Sequence, residues 1–499
     1  MVFRIIQVVM VALVGVVMMS AILTGGGNVI GQTALYGMIV VFFVGLMSPK
    51  GGVLLMIILA GYSDMLKRLM VLETNISMFD LTYVLGMAPM ALAGTVVACV
   101  VQKIFSGKIE KRDVVTFGVA TVFLVIGAAL GLKSGGGMRA LRLVADYGAF
   151  SYLIFVLPIL YPTRDEILKL VKTTILIFVP VALYGIWQRT FGLADFEHAY
   201  LLTGLSSESR QLLDLEVRPF STLNAATSLT MVTASAVILI LCLRRERKIS
   251  PLLSFTLVVV FAMSCFMTFT RVGWAVLFAS LCLIPVLRYK STTFLMYVGG
   301  IGSFILVVLN ADLIIDNLPH WQNKLYGKTE VSAGEGQGLR IMTLSDRFIG
   351  FENMKRPENW TPFGIKEEGA RIYGLSDRYS TTFSHDAISG FLFKFGYVPL
   401  ACGILMGLFF LASLHRAIFK LPFDQQRFCQ LALAGIFGML CSLATGGTVF
   451  QFPANIFFWF LFAMVLITIG EKPRPVEEGG KEEKEAVFGR LKPAGAFRP

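Results

Sequence analysis

The chain has 499 residues, of which 56% are hydrophobic and only 15% are charged, and its formal net charge is +12. Because about a quarter of the residues in an ordinary soluble protein are charged, this composition excludes a soluble domain. The apolar residues form separate runs of about 17–25 residues, each long enough to cross a hydrocarbon core as a helix. The basic residues lie mainly between those runs, which is the distribution a membrane imposes and gives no indication of nucleic-acid binding.

The hydropathy pattern predicts an all-α polytopic membrane protein with about fourteen transmembrane helices. The first apolar stretch, within residues 1–23, could also be a secretory signal peptide. Its apolar part is longer than that of a typical signal peptide, and it lacks a clear cleavage site. We therefore interpret this stretch as an uncleaved span. The predicted spans are 5–23, 33–48, 52–63, 81–102, 114–132, 145–161, 172–189, 224–243, 252–270, 272–287, 293–310, 387–413, 428–446 and 450–470.

Lysine and arginine in the short loops predict the orientation, because such loops stay on the cytoplasmic side. With the N-terminus inside, the cytoplasmic loops contain Lys50, Lys103, Lys108, Lys111, Arg112, Arg164, Lys169, Arg244, Arg245, Arg247, Lys248, Arg288, Lys290, Arg416, Lys420 and Arg427. A smaller group falls on the other side, namely Lys67, Arg68, Lys133, Arg139 and Arg142. The majority predicts that both termini are cytoplasmic.

Three parts of the chain are distinguished by composition. Residues 1–470 form the predicted membrane domain, and 471–499 are a polar, Pro- and Gly-containing tail that we expect to be disordered and cytoplasmic. Within the membrane domain, two external segments stand out, 192–223 and the much longer 311–384. A connection as long as 311–384 is usually functional or a small domain. A passive linker is the alternative, although Trp360 and other aromatic residues favour an ordered segment.

The sequence offers little support for a metal or cofactor site. The seven cysteines lie in or beside apolar runs without CxxC spacing, which is typical of packing residues. Two acidic pairs, 195–197 and 214–216, only weakly resemble a metal-binding Asp-x-Asp motif. We therefore expect no cofactor, no metal and a metal-independent reaction.

Three residues at the outer ends of spans are candidates for chemistry. Arg271 lies on a tight turn between two spans, and Arg218 comes just before another span. His385 ends the long external loop and starts a helix, with Ser384 as a plausible cap and Asp386 in the first turn. The alternatives are an interfacial arginine that reaches toward the headgroups, a loop arginine that contacts lipid, and a structural histidine.

The convergence of these residue types on one face suits one kind of reaction. Arginine binds a diphosphate with two parallel hydrogen bonds, which lysine cannot do. Histidine has a pKa near neutrality and can accept the proton of a sugar hydroxyl. The pattern therefore favours transfer of a glycan from a lipid diphosphate.

At these residues the chain resembles the superfamily of bacterial O-antigen ligases and Wzy-type O-antigen polymerases, over roughly residues 190–400. The motifs are an arginine with a following Phe/Ser-Asn element at 218–224, a Thr-Arg-x-Gly element at 270–273 and an arginine at Arg347 in the long loop. A Pro-x-Gly element at 362–365, a His-Asn-like pair at 385–386 and a closing Phe-Gly turn at 395–396 complete the pattern.

The resemblance implies a GT-C-like membrane glycosyltransferase in the bacterial inner membrane, with an undecaprenyl-diphosphate-linked oligosaccharide as donor and inversion at the anomeric carbon. His385 would be the catalytic base, and Arg218, Arg271 and Arg347 would bind the lipid diphosphate. Two departures, Asp386 for the usual Asn and Lys394 for a frequent Glu, mark possible secondary site residues.

We expect a polymerase of lipid-linked repeat units for O-antigen or exopolysaccharide, in contact with an acceptor glycan and membrane lipids. Three other functions remain open. One is a ligase that transfers the glycan to lipid A-core, and another is a transporter or flippase for the same lipid-linked sugar. The third is a structural assembly protein without catalysis, in which His385 would be replaceable. The transporter would carry charged residues deep inside several spans, where the sequence offers little besides Lys394.

Overall fold

Helices form the regular structure wherever the computed structural model describes the chain, which is at residues 29–73, 78–133, 143–202, 218–314, 348–364, 386–445 and 448–471, and no strand occurs there. In chain order they are α1 Val29–Met47, α2 Pro49–Glu73, α3 Met78–Ser106, α4 Lys111–Lys133, α5 Leu153–Leu160, α6 Arg164–Phe191, α7 Asp195–Leu202, α8 Ala226–Arg245, α9 Pro251–Met267, α10 Arg271–Val286, α11 Lys290–Leu309, α12 Ile349–Asn353, α13 Ala387–Phe395, α14 Tyr397–Ile418, α15 Phe423–Leu440 and α16 Ala454–Gly470.

Eight helical segments among the described residues are long and apolar enough to cross a membrane. They are Leu81–Ser106, Lys111–Leu132, Leu143–Leu160, Arg164–Phe191, Ala226–Arg245, Lys290–Leu309, Tyr397–Ile418 and Phe423–Ala444. Four shorter apolar helices are Ala34–Met47, Pro251–Met267, Arg271–Val286 and Ala454–Gly470. This confirms that the described part of the chain is all-helical and carries the spans of a multi-pass membrane protein. The predicted span 5–23 lies outside the described residues.

Helix α2 is much longer than the predicted span 52–63 and runs from Pro49 to Glu73. The prediction ended the helix before three charged residues and assigned Lys67 and Arg68 to an external loop. The loop part of that assignment is wrong, because the helix continues through both residues. The carboxylate of Asp64 is 3.1 Å from the ammonium nitrogen of Lys67, and Arg68 is fully buried.

The predicted span 387–413 is also wrong in its continuity, because Gly396 divides it into α13 and α14. Gly396 has φ +90°, a conformation that only glycine adopts readily. Its amide closes the last turn of α13 on the carbonyl of Leu392 at 2.7 Å. The hydropathy of the two helices is continuous, so the sequence pattern concealed the break.

The core of the bundle surrounds α8, where 89% of the spanning window is buried. On one side of the bundle, α1 and α3 approach very closely through Gly45 and Gly94, where an added Cβ atom would overlap backbone atoms. Small residues permit such close approach of membrane helices. At the periphery, the spanning windows of α11 and α14 are only 7% and 6% buried, so their apolar side chains face outward.

The two ends of the bundle differ in their polar contacts. At one end, where α2 and α6 finish and α8 begins, Arg68, Gln188, Glu197 and Ser221 form a buried polar network; we call this the network end. The opposite end, which we call the basic end, carries ion pairs between helix termini. They are Lys103–Asp113, Arg164–Glu246, Arg164–Glu471, Arg245–Asp424 and Lys248–Asp165.

Only part of the predicted loop 311–384 belongs to the described residues, namely 311–314 and 348–364. Ala311, Phe351 and Met354 pack there against Leu392 and Phe393 of α13 in one apolar cluster. Of the predicted tail 471–499, the structure describes Glu471 alone.

Candidate functional site

A buried arginine, Arg68 of α2, contacts the segment that follows Arg218 and holds its backbone in place. One Arg68 nitrogen donates to the carbonyl of Ser221 at 2.6 Å, and another donates to the carbonyl of Leu223. The Arg68 guanidinium also lies over the ring of Phe220, 4.3 Å from its centroid. Arg68 has no exposed surface, so this interaction fixes the backbone of residues 220–223 against the end of α2.

A second buried side chain, Gln188 of α6, holds the same segment through its amide groups. The Gln188 carbonyl oxygen accepts from the backbone nitrogens of Phe220 at 3.0 Å and Ser221 at 2.6 Å. The Gln188 nitrogen donates to Glu197 at 2.6 Å. Both backbone donors and backbone acceptors of the segment are therefore satisfied by side chains, which buried peptide groups require.

Glu197 of α7 supplies the negative charge of this network. Its carboxylate lies 3.4 Å from the Arg68 guanidinium, and neither side chain is exposed. It also accepts from the backbone nitrogen of Ala194 at 3.1 Å. Burial raises the pKa of the Glu197 carboxyl above its usual value, against the opposing effect of these hydrogen bonds and of Arg68. With these partners, Glu197 does not act as part of an Asp-x-Asp metal motif, and the second weak motif, 214–216, lies outside the described residues.

Arg271 begins α10 at the same end of the bundle and is exposed. The turn before it contains Phe269 at φ +50°, a genuine outlier for a bulky residue. The guanidinium of Arg189 lies 4.5 Å from the centroid of the Phe269 ring. The indole nitrogen of Trp274 donates to the carbonyl of Cys265 at 3.4 Å, which ties the first turn of α10 to the last turns of α9.

Close packing joins the starts of α8 and α10, the helices that follow Arg218 and begin with Arg271. An added Cβ atom on Gly273 would overlap the Thr230 side chain of α8, so α10 lies directly against the start of α8. Ser221, three residues after Arg218, is at φ 57°. Two of the three non-glycine residues with positive φ in the described part of the chain therefore adjoin the two arginines, and strained backbone of this kind clusters at functional sites. The structure brings the starts of α8 and α10 together, with both arginines exposed.

Asp386 is the N-cap of α13 and not, as predicted, a first-turn residue behind a Ser384 cap. Its carboxylate accepts from the backbone nitrogen of Ser389 at 2.6 Å and also bonds the Ser389 hydroxyl. Asp386 is buried, with 2% of its surface exposed, and burial raises the pKa of its carboxyl above the usual value. Ser384 itself lies outside the described residues.

Two predicted motif elements meet at the break between α13 and α14. The carbonyls of Thr361 and Pro362 accept from the backbone nitrogens of Tyr397 and Val398 at 3.0 and 3.3 Å. An added Cβ atom on Gly396 would lie 2.3 Å from the Pro362 oxygen. The Pro-x-Gly element and the Phe-Gly turn therefore form one joint, in which loop carbonyls satisfy the first amides of α14.

The sequence pattern placed Lys394 inside the predicted span 387–413, but the structure places it before the spanning helix α14. It occupies the last turn of the short helix α13 and is exposed. A cation is favourable near the negative end of a helix dipole, so its position does not require a membrane-buried partner. Helix α13 contacts the turn Cys441–Thr445, which in turn contacts α10; this places α13 at the network end, with Arg271.

Two predicted site residues, His385 and Arg347, lie outside the described residues. His385 directly precedes Asp386, and Arg347 directly precedes the described segment 348–364. Sequence reasoning missed Arg68, Gln188 and Glu197. The available signal was the charged group that follows an apolar run at 64–68, which a hydropathy reading assigns to a loop.

In the part of the chain that the structure describes, no group of three His, Cys, Asp or Glu side chains could hold a metal ion; metal independence stays a prediction. Comparison with models of protein families, with curated proteins and with solved structures found no match to this chain.

Proposed function

We propose that the chain is a membrane glycosyltransferase that polymerises undecaprenyl-diphosphate-linked oligosaccharide repeat units at its network end. The observation that carries the proposal is the exposure of Arg218, in the segment that leads into α8, and of Arg271, at the start of α10, together with the close packing of the starts of these two helices. Two arginines on fixed turns at one end of an apolar bundle suit a ligand that joins a lipid tail to a diphosphate, since guanidinium groups bind phosphate in forked geometry.

The proposed reaction balances without a cofactor. The hydroxyl oxygen of the acceptor sugar attacks the anomeric carbon of the donor, and its proton passes to His385. The bond from that carbon to the diphosphate oxygen breaks, and the lipid diphosphate leaves with the electron pair. Arg218, Arg271 and Arg347 would stabilise the charge that develops on the leaving group. Attack from the side opposite the leaving group inverts the anomeric configuration.

The charge distribution supports the orientation this function needs. The basic residues predicted to be cytoplasmic border the basic end, whereas Lys67 and Arg68, at the network end, have carboxylate partners within 4 Å. By the tendency of basic loops to stay inside, we propose that the network end is periplasmic in the bacterial inner membrane. A GT-C-like fold of about fourteen spans, which includes 5–23, would then have both termini in the cytoplasm.

Transport of the lipid-linked sugar fits the buried charges less well. A transport path needs polar groups that face a water-filled cavity. The buried guanidinium of Arg68 instead faces Glu197 and a backbone carbonyl. This arrangement supports a binding site at the network end better than a transport route through the bundle.

Reconstitution tests the proposal directly. The purified protein is incubated with lipid-linked repeat units, alone and with lipid A-core, and the products are separated by size, with a parallel reaction in EDTA. We expect growing polymer in the absence of lipid A-core and in the presence of EDTA. Transfer of glycan only to lipid A-core would instead identify a ligase. Failure of both reactions, with sugar translocated across vesicles, would overturn the proposal in favour of a transporter.

A further inference from the structure

Three arginines from different helices converge at the basic end, far along the bundle from the proposed site. Arg245 is in the last turn of α8, Arg288 follows the end of α10, and Arg427 lies in the second turn of α15. We call them the arginine triad. Helix α15 contacts both α8 and α10, and the guanidinium of Arg427 is within electrostatic range of the other two.

Contacts inside the protein fix the geometry of the triad. The Arg427 guanidinium lies 4.7 Å from the centroid of the Phe423 ring and donates to the side-chain oxygen of Gln430 at 3.4 Å. The nitrogen of Gln430 donates to the backbone carbonyl of Arg288 at 3.5 Å. Gln430 therefore links the side chain of Arg427 to the backbone of Arg288.

The positive charge of the triad exceeds the negative charge beside it. Asp424 is the carboxylate that the structure pairs with the triad, 3.2 Å from Arg245, and its side chain is 84% exposed. Like charges repel one another unless an anion lies between them. The described residues thus leave the triad with an excess of two positive charges over one carboxylate.

The neighbouring carboxylates do not correct this excess, because they already have cationic partners. Glu246 lies 3.4 Å from Arg164, and Asp165 lies 2.8 Å from Lys248. Basic pockets between helix ends at the cytoplasmic side of a membrane protein bind the headgroups of anionic lipids.

We propose that Arg245, Arg288 and Arg427 bind a phosphate group at the basic end, carried by the headgroup of an anionic phospholipid. The headgroup phosphate accepts hydrogen bonds from guanidinium forks of the triad, while the acyl chains lie along the apolar outer surface of the bundle. This site is separate from the proposed glycosyl transfer and stands whether or not that reaction occurs.

The test uses the full-length protein in non-ionic detergent and three probes: phosphatidylglycerol, phosphatidylcholine and inorganic phosphate. Bound lipid is counted by native mass spectrometry, and thermal unfolding is followed in parallel. The variant Arg288→Gln with Arg427→Gln removes two charges from the triad. The matched control, Lys108→Gln with Lys111→Gln, removes two charges from exposed positions of the same end, one on the turn between α3 and α4 and one at the first residue of α4.

Phosphatidylglycerol should bind the wild-type protein more tightly than phosphatidylcholine, and the triad variant should lose about tenfold in that affinity, the weight of one hydrogen bond to a charged group. The control should keep it. The affinity of Arg427→Lys for phosphatidylglycerol should lie between those of the triad variant and the control, because lysine keeps the charge but lacks the guanidinium fork. Stabilisation by inorganic phosphate but not by phosphatidylglycerol would overturn the lipid source. Equal losses in triad variant and control would overturn the site itself.

Discussion

Replacement of Arg68 by methionine should destabilise the protein more than any other single change at the network end. Methionine keeps much of the side-chain length but removes the charge and all donors. Glu197 then lies fully buried without its cation, and breaking a buried ion pair in this way costs about 3–5 kcal/mol. The carbonyls of Ser221 and Leu223 also lose their donor. We expect the free energy of unfolding to fall by about 3–5 kcal/mol in total, because these losses overlap.

The measurement is reversible unfolding in mixed micelles, followed by loss of helical signal. Lys248→Met is the matched control, since it breaks the Lys248–Asp165 pair, whose side chains are 41% and 43% exposed. Such exposed pairs contribute about 0–1 kcal/mol. If Arg68→Met lowers the free energy of unfolding by less than about 1 kcal/mol, the argument that an ion pair in a low-dielectric environment holds this arginine is refuted.

A double-mutant cycle with Glu197→Gln separates the ion pair from the rest of the network. Glutamine removes the charge that Arg68→Met leaves unpaired, so the double variant should be less destabilised than the sum of the single variants, by about 0.5–3 kcal/mol. Additive effects would show that Arg68 acts through the backbone carbonyls alone, and would remove Glu197 from the account.

Four further changes test individual parts of the site. Arg271→Lys should lower transfer strongly, since lysine lacks the fork, whereas Arg288→Lys, just beyond the other end of α10, should leave the transfer rate unchanged. His385→Ala should lower turnover by about 10²–10⁴ with donor affinity nearly intact, and a parallel loss of donor binding would make it a phosphate ligand instead. Gly396→Ala should cost about 1–3 kcal/mol in unfolding experiments, because alanine does not tolerate this backbone conformation; an unchanged midpoint would contradict the observed break. Burial raises the pKa of Asp386 above its usual value, so the carboxyl stays protonated to a higher pH in the folded state than in the unfolded state. Stability should therefore decline as pH rises from the unfolded-state pKa to the folded-state pKa. Asp386→Asn should keep the cap and flatten this dependence, which comparison of unfolding midpoints across pH will show.

The sequence predicted most spans because a helix in hydrocarbon needs a long apolar run, and such a run is visible without any tertiary information. It failed at α2 because hydropathy treats every charged residue as hydrated. Asp64 and Arg68 instead find partners inside the protein, so the helix continues where the pattern predicted a loop. It failed again at Gly396, since a change of backbone φ leaves no trace in hydropathy when apolar residues continue on both sides.

The candidate site was predictable only in its exposed part. Arg218 and Arg271 stand beside span ends, and alternation of the spans is enough to place them at one end of the bundle. The buried part was not predictable, because Arg68, Gln188 and Glu197 are separated by up to 129 residues along the chain. No local pattern joins residues at such distances; only the packing of α2, α6 and α7 does.

The arginines of the network end differ in burial, and we infer different roles for them from that difference. Arg68 and Arg218 serve the same short segment, yet Arg68 is fully buried and Arg218 is exposed. A buried cation must keep its anion nearby, because removal of the partner leaves an uncompensated charge in a low dielectric. Arg68 could bind a ligand only by releasing Glu197, at that cost. Arg218 is exposed, so a phosphate can reach its guanidinium without the break of a buried ion pair. An anion at this end should therefore meet Arg218 first, while Arg68 holds the backbone that presents it.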